Sequence, residues 1–301
     1  MWRTLRTKYN LVVSQEVTRD MLRQIDPVNV ENRRRHRLTR RTYTSKGPND
    51  TWHLDGYDKL RPYGFLISGC IDGYSRRIMW LKCAYTNHDP AVIGGYFLET
   101  AARYGGFPET VRTDCGTENV VVAAIQEFVV PRRRSHVYGS SPHNQRIEAW
   151  WSFYRRNRSQ WWIDLFEDLV DLGVFHPGHM KEVDLLRYCF MQTLRSDLVE
   201  VAAMWNVHRI RPSVGARCPP GIPDELYFLP LRGAVDCKVP TQLHNLSAFL
   251  VQQTHSVGTC EDGLFEEYLD YVCNLSNFSD PTTPDECSAL YLKLHPLVIT
   301  V

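Results

Sequence analysis

The sequence predicts an α/β domain in which helices cover a sheet, continued by a mostly helical C-terminal extension. Two observations lead to this. Segments rich in β-branched and aromatic residues at Thr51–Asp55, Gly64–Tyr85, Thr110–Asp114 and His136–Tyr138 read as strands. Stretches of helical period at Pro90–Tyr104, at Val120–Val129 and from His143 onward alternate with them. Hydrophobic residues fill 43% of the 301 positions, enough for a sizeable core, so one principal domain with appended modules is expected.

Residues 1–30 read as the remnant of a helical, helix-turn-helix-like element: Val17, Met21 and Ile25 recur every fourth position, and Asp26-Pro27 ends the run. Residues 31–50 read as a basic linker carrying Arg33, Arg34, Arg35, Arg37, Arg40 and Arg41. Its expected work is neutralising phosphates, although a solvated charge run or a nuclear-import signal would have the same composition. The α/β core spans 51–160. Within it, Asp72-Gly73-Tyr74-Ser75 turns a hairpin, Asp72 being structural, and Val92, Ile93, Tyr96, Phe97, Thr100 and Tyr104 share a helix face closed by Gly105-Gly106. Residues 161–230 form a helical extension, most clearly at Val183–Val207, and 231–301 an acidic module without a readable role.

Charge is divided along the chain. Residues 1–158 hold 26 Lys and Arg against 15 Asp and Glu, and residues 159–301 hold 9 against 19. A DNA-handling front with an acidic tail gives this pattern, as does uneven surface charge without a partner. No run of about 18 apolar residues occurs and no apolar stretch follows the basic start, so an intracellular protein without membrane contact is expected. Nine scattered cysteines without a Cys-x-x-Cys pair predict reduced thiols.

Three carboxylates stand at element edges. Asp55 ends the first strand, Asp114 ends the fourth, and Glu148 lies in the first turns of a long helix. Carboxylates converging there would repel one another unless a cation filled the space between them, and Mg²⁺, which prefers few carboxylates plus phosphate and water, meets that demand. Two such ions about 3.5–4 Å apart can clamp an in-line displacement at phosphorus. A single Asp at a strand end would read as a turn or cap.

The segments Trp52-His53-Leu54-Asp55, Thr113-Asp114-Cys115-Gly116-Thr117-Glu118-Asn119 and Ser141-Pro142-His143-Asn144-Gln145-Arg146-Ile147-Glu148 resemble the three acidic motifs of retroviral-type integrases and DDE transposases. The 33 residues between Asp114 and Glu148 match the interval usual in that superfamily. The pattern is most similar to integrase-core-domain proteins derived from eukaryotic mobile elements, firmly over 52–158 and loosely to about 224, where Asn206-Val207-His208-Arg209 precedes a Pro-rich stretch. The resemblance implies a ribonuclease-H-like fold, a mixed sheet flanked by helices. It also implies two-metal cleavage and strand transfer of DNA, with Asp55, Asp114 and Glu148 catalytic and holding two Mg²⁺ or Mn²⁺ ions.

Glu118, Asn119 and Asn144 are expected to support those acids rather than bind the ions. Arg132, Arg133, Arg134, Arg146, Arg155, Arg156 and Arg158, with the linker arginines, are candidates for phosphate contacts. Tryptophans 150, 151, 161 and 162 either stack on unpaired bases or fill the core. The His and Cys pairs of a retroviral zinc module are missing, so zinc is not expected, nor is a small-molecule cofactor. The shortened front suggests a truncated chain or a captured gene. DNA partnership, homo-oligomerisation and nuclear residence follow as expectations. The alternative is a domesticated, non-enzymatic nucleic-acid-binding or scaffold protein that keeps the fold.

Overall fold

The structure, a computed structural model, describes residues 2–35, 43–139, 144–212, 217–240 and 258–299. The chain divides into two compact units, one up to Thr42 and one from Tyr43 onward.

The first unit holds α1 (Trp2–Tyr9), α2 (Gln15–Ile25) and α3 (Pro27–Arg35). Ser14 caps α2 by accepting the Val17 N–H at 3.1 Å, which satisfies one of the donors a helix start leaves open. The Trp2 indole N–H donates to the Val13 carbonyl at 2.8 Å and ties the α1–α2 connection back. The apolar stripe read from the sequence stays largely open, with Val17, Met21 and Ile25 all exposed. Arg33, Arg34 and Arg35 form the last turn of α3, so the basic run begins as helix and not as an irregular linker. Arg37, Arg40 and Arg41 lie outside the described residues.

The second unit is built on a five-stranded mixed sheet of order β3-β2-β1-β4-β5. The strands are β1 (Thr51–Tyr57), β2 (Leu66–Asp72), β3 (Ile78–Ala84), β4 (Thr110–Thr113) and β5 (His136–Tyr138). The first three form an antiparallel meander, and β4 and β5 join parallel to β1. This is the ribonuclease-H-like arrangement that the resemblance implied. The β2–β3 turn forms around the fully buried Asp72, whose carboxylate accepts from the Ser75 backbone and hydroxyl at 2.8 and 2.7 Å and from Asn49 N–H at 2.8 Å. Burial pushes its pKa up to about 6, against the pull of those donors. Asp72 is thus structural, as its turn context predicted.

Each sheet face has its own cover. α4 (Pro90–Tyr104) is capped by Asp89 and closed by Gly105 in the left-handed conformation. With α5 (Val120–Val129) it encloses Trp52, Leu54, Phe97, Val111 and Ile125. The opposite face is covered by α6 (Gln145–Tyr154), α7 (Gln160–Asp171) and α8 (Met180–Val207), with Ile67, Trp150, Phe166 and Phe190 in its core. The predicted long helix is α6 and α7 joined through a π turn at Arg155–Ser159. The tryptophans divide: 150, 151 and 162 are buried, whereas Trp161 is 51% exposed.

The chain beyond α8 returns to the core. Asn206, in the segment resembling the family's tail, brackets β3: its side chain accepts from Ile78 N–H at 2.7 Å and donates to Ile78 O at 3.1 Å. After α9 (Pro223–Phe228), residues 235–239 run beside Lys46, Pro48 and Phe107 with backbone hydrogen bonds to each. Two last helices, α10 (Gly263–Ser276) and α11 (Pro284–Val298), place Leu269, Tyr291 and Leu294 in the core beneath α8. Among the described residues no boundary falls at 230, and the expected acidic module completes the hydrophobic core. No helix among them is long and apolar enough to cross a membrane.

The Asn206 bracket is testable. Asn206→Ala removes the side-chain acceptor of the Ile78 N–H and one of two donors to its carbonyl, which Arg77 also reaches at 3.3 Å, and should lower unfolding stability by about 1–3 kcal/mol, read from urea denaturation; an unchanged midpoint would remove the bracket's structural role.

Candidate active site

Strand alternation places the first two acids on the α6 side of the sheet. Trp52 and Leu54 point into the core beneath α4, so His53, Asp55 and Tyr57 point the other way. The parallel register pairs Thr51 with Thr110 and His53 with Arg112; two residues further along each strand, just past the end of β4, Asp114 and Asp55 line one cleft, and the charge of Asp114 acts on Asp55. Neighbouring strands lie about 4.8 Å apart, so the two carboxylates project side by side where β4 ends; β1 itself continues to Tyr57, so Asp55 lies within the first strand and does not end it as the sequence suggested.

α6 brings the third acid. Its cap residue, Asn144, is 1% exposed and docks on β1, donating to the Leu54 carbonyl at 2.7 Å and accepting from the His53 ring at 2.7 Å. Because the amide nitrogen faces a carbonyl, its oxygen faces His53, which therefore carries its proton on Nδ1. His53 Nε2 then accepts from the Tyr43 hydroxyl at 2.9 Å. Burial, with the charges of Arg112 and Arg146 adding to it, lowers the His53 pKa to about 3, so this ring is neutral. Docked this way, α6 carries Glu148 in its first turn, and one turn later Trp151 donates its indole N–H to Asp55 Oδ2 at 3.0 Å.

Small residues make room for this contact. Gly69 sits opposite Asp55 on β2, and a Cβ there would lie 2.7 Å from the Trp151 ring. On the other side, Asn119 donates to Asp114 Oδ1 at 2.9 Å and to Glu118 Oε1 at 3.1 Å, and Gly116 N–H approaches the same Asp114 oxygen at 3.3 Å. Asp55, Asp114, Glu118 and Asn119 share the lining of a cleft of about 280 Å³.

The charges remain unbalanced. Asp55 is pushed up to about 7 by burial first and then by the charges of Asp114 and Glu148, against the Trp151 hydrogen bond. Among the described residues no Lys, Arg or His pairs with Asp55 or Asp114 within 4.0 Å. Asp55 and Asp114, without a basic partner among the described residues, and Glu148, whose charge acts on Asp55, together offer oxygen donors of the kind that suits hard divalent cations. Their ligand atoms do not all lie within 4.8 Å of one another; among the described residues that spacing is met by Asp50, Glu109 and Cys237. A pair of ions about 4 Å apart spreads its ligands more widely than a single ion does. The Asp50 and Glu109 carboxylates are already compensated, by Lys46 at 3.7 and 3.1 Å and, at Glu109, by Arg132.

The basic residues sort differently from the acids. Arg132 is committed to Glu109, its backbone carbonyl and Thr110. Arg158 pairs with Asp197 and Glu200 at 3.6 and 3.5 Å. Arg155 opens the π turn beside Tyr57, while Arg133, Arg134 and Arg156 are exposed. Reading by motif overlooked His53, Tyr43 and the Trp151 hydrogen bond. His53 was accessible in principle, two residues before Asp55 on the same strand face; Tyr43 has no sequence signal.

The sheet order, the helices on each face and the carboxylates on adjacent parallel strands define a polynucleotidyl-transferase class of fold. An integrase core domain model matches residues 42–223, more than half of the chain, and the protein belongs to that family. Comparison with curated proteins gives no match.

Two measurements probe this geometry. Gly69→Ala should displace Trp151 and cost about 1–3 kcal/mol, visible as altered tryptophan fluorescence with a lowered melting temperature; unchanged spectra would mean that the indole does not need that space. Asn144→Ala should weaken Mn²⁺ binding by about 10–100-fold in calorimetry, because Glu148 loses its anchor to β1; wild-type affinity would show the clamp to be irrelevant to the acids.

Proposed function

We propose that the protein is a DNA-binding, metal-dependent polynucleotidyl transferase of integrase or transposase type, derived from a mobile element, that cleaves phosphodiesters and transfers DNA strands. Asp55, Asp114 and Glu148 are its catalytic and ion-holding residues. The observation that carries this reading is the pair of carboxylates on adjacent parallel strands beside the Glu148 helix, with no basic partner on Asp55 or Asp114 among the described residues. Membership of the integrase core domain family supports the reaction class.

Two Mg²⁺ or Mn²⁺ ions bound there would supply the Lewis acidity that activates an attacking water or 3′ hydroxyl and stabilises the leaving oxygen. The chain's own residues set the stage. Trp151 and Asn119 fix the directions of Asp55 and Asp114 by hydrogen bonds on one oxygen each, leaving further lone pairs for ligation. Asn144 holds the helix that delivers Glu148. Arg133, Arg134 and Arg156, exposed and without a salt bridge among the described residues, are suited to phosphate contacts, and such work on DNA belongs in the nucleus.

A second reading has one observation in its favour: the three acids are not drawn together to within 4.8 Å. On that reading the chain is a domesticated nucleic-acid-binding protein that keeps the fold without the reaction. Incubation with Mg²⁺ or Mn²⁺ and a labelled duplex oligonucleotide, beside Asp114→Asn, separates the two. Cleaved or joined product from the wild type alone is expected; product at equal level in both, or none in either, removes the enzymatic reading.

A further inference from the structure

The turn after β2, the middle of β4 and the start of α6 each carry an arginine outside the lining of the acidic cleft, and their charges meet: those of Arg112 and Arg146 act on the buried His53 ring, and that of Arg146 acts on Arg76. Arg112 is the register partner of His53 and lies on the same sheet face. Arg146 follows Asn144 by two residues, and its guanidinium carbon stands 4.2 Å from the centre of the Tyr43 ring, whose hydroxyl bonds His53. Arg76, in a left-handed conformation at φ 63°, reaches the Pro219 and Ser75 carbonyls.

None of the three guanidinium groups forms a salt bridge among the described residues. The nearest acid in the turn, Asp72, has its oxygens engaged by Ser75 and Asn49. The stretches 36–42 and 140–143, which precede Tyr43 and Asn144 in sequence and lie outside the described residues, contain no Asp or Glu.

Like charges held together without a counter-ion are costly, and several features raise that cost. Arg146 Nε is buried and has no hydrogen-bond partner among the described residues. Arg146 also occupies the first turn of α6, where the helix dipole disfavours a cation. Burial first, and then the Arg146 charge, lowers the Arg76 pKa to about 10. An anion seated among the three would reverse each penalty, giving the buried Nε an acceptor and the helix start its preferred charge.

We propose that Arg76, Arg112 and Arg146 form a phosphate-binding site, separate from the acidic cleft, whose ligand is a backbone phosphodiester of the nucleic acid. The anion chemistry stands on the arginines alone; the identity of the ligand rests on the nucleic-acid reading above. A guanidinium cluster suits phosphate through paired N–H donors. Positioned beside the Glu148 helix, it would fix the strand's path past the carboxylates without touching the reacting phosphorus.

The test has two arms on the full chain, with Arg146→Gln, Arg112→Gln and the charge-preserving Arg146→Lys. In the first, melting temperature is followed as inorganic phosphate replaces chloride at constant ionic strength. The wild type and Arg146→Lys should gain stability with phosphate, and the two Gln variants should lose most of that gain. In the second, duplex binding is measured by anisotropy against salt, where each Gln variant should reduce the slope of log affinity on log salt by about one. Gln variants that keep the wild-type phosphate response, or a wild type with no response, overturn the site. A lost phosphate response with unchanged duplex affinity and slope overturns the phosphodiester assignment in favour of free phosphate. Failure of the strand-cleavage assay removes the catalytic reading without altering either arm.

Discussion

The candidate site depends on one side chain, Asn144, making both of its available bonds to a single strand. Donating to Leu54 O and accepting from His53, it fixes the start of α6 in distance and in rotation on β1. A helix held by apolar packing alone can slide or turn by fractions of a residue; one held through a buried amide with both ends satisfied cannot do so without leaving a donor or acceptor unpaired, which is costly in the interior. The place of the third acid beside Asp55 follows from that docking.

The support continues outward from the clamp. Tyr43 completes the hydrogen bonding of His53, and the neutral ring is what allows a histidine to sit fully buried there. Gly69 removes the side chain that would have kept Trp151 off the sheet, and the indole then reaches Asp55. The site combines a hydrogen-bonded frame with two carboxylates, Asp55 and Asp114, that have no lysine or arginine beside them among the described residues. That contrast appears again at Asp50 and Glu109, which have the same chemical type but are neutralised by Lys46 and Arg132. Acid clusters on one protein thus differ less in composition than in whether lysine or arginine has been placed beside them.

Much of this was legible in the sequence, and for identifiable reasons. Strand and helix periods recovered the sheet and its first covering helices, because β1, α4, α5 and β5 carry strong local signals: a cap at Asp89, a left-handed stop at Gly105, alternating burial in β1. The acids stood out as candidates through motif and spacing. The basic run at Arg33 carried no periodicity, yet its first three residues are helical because α3 continues from Pro27. The π turn at Arg155 is a single extra residue within a continuous helical pattern and leaves no compositional mark. The His53 bond to Asn144 joins residues 91 apart, and a pairing of that kind has no local signature. The same limit hid the place of α10 and α11, whose acidic composition suggested a separate module while their apolar faces complete the core.

The return of residues 235–239 to the edges of the first strands carries a consequence for how the chain reaches its fold. Asn49, just before β1, is held by Tyr227 and Asp236, partners 178 and 187 positions away. Closing loops of that length is entropically demanding and slows folding. During synthesis the strands bearing Asp55 and Asp114 emerge long before the segments that cover and brace them, and the helices that finish the core beneath α8 emerge later still. The nascent sheet therefore waits with its apolar α6-side face unsealed, a state in which chaperone contact or off-pathway association competes with completion. For such a molecule the yield of native protein is governed less by the strength of its central sheet than by how promptly its last third arrives.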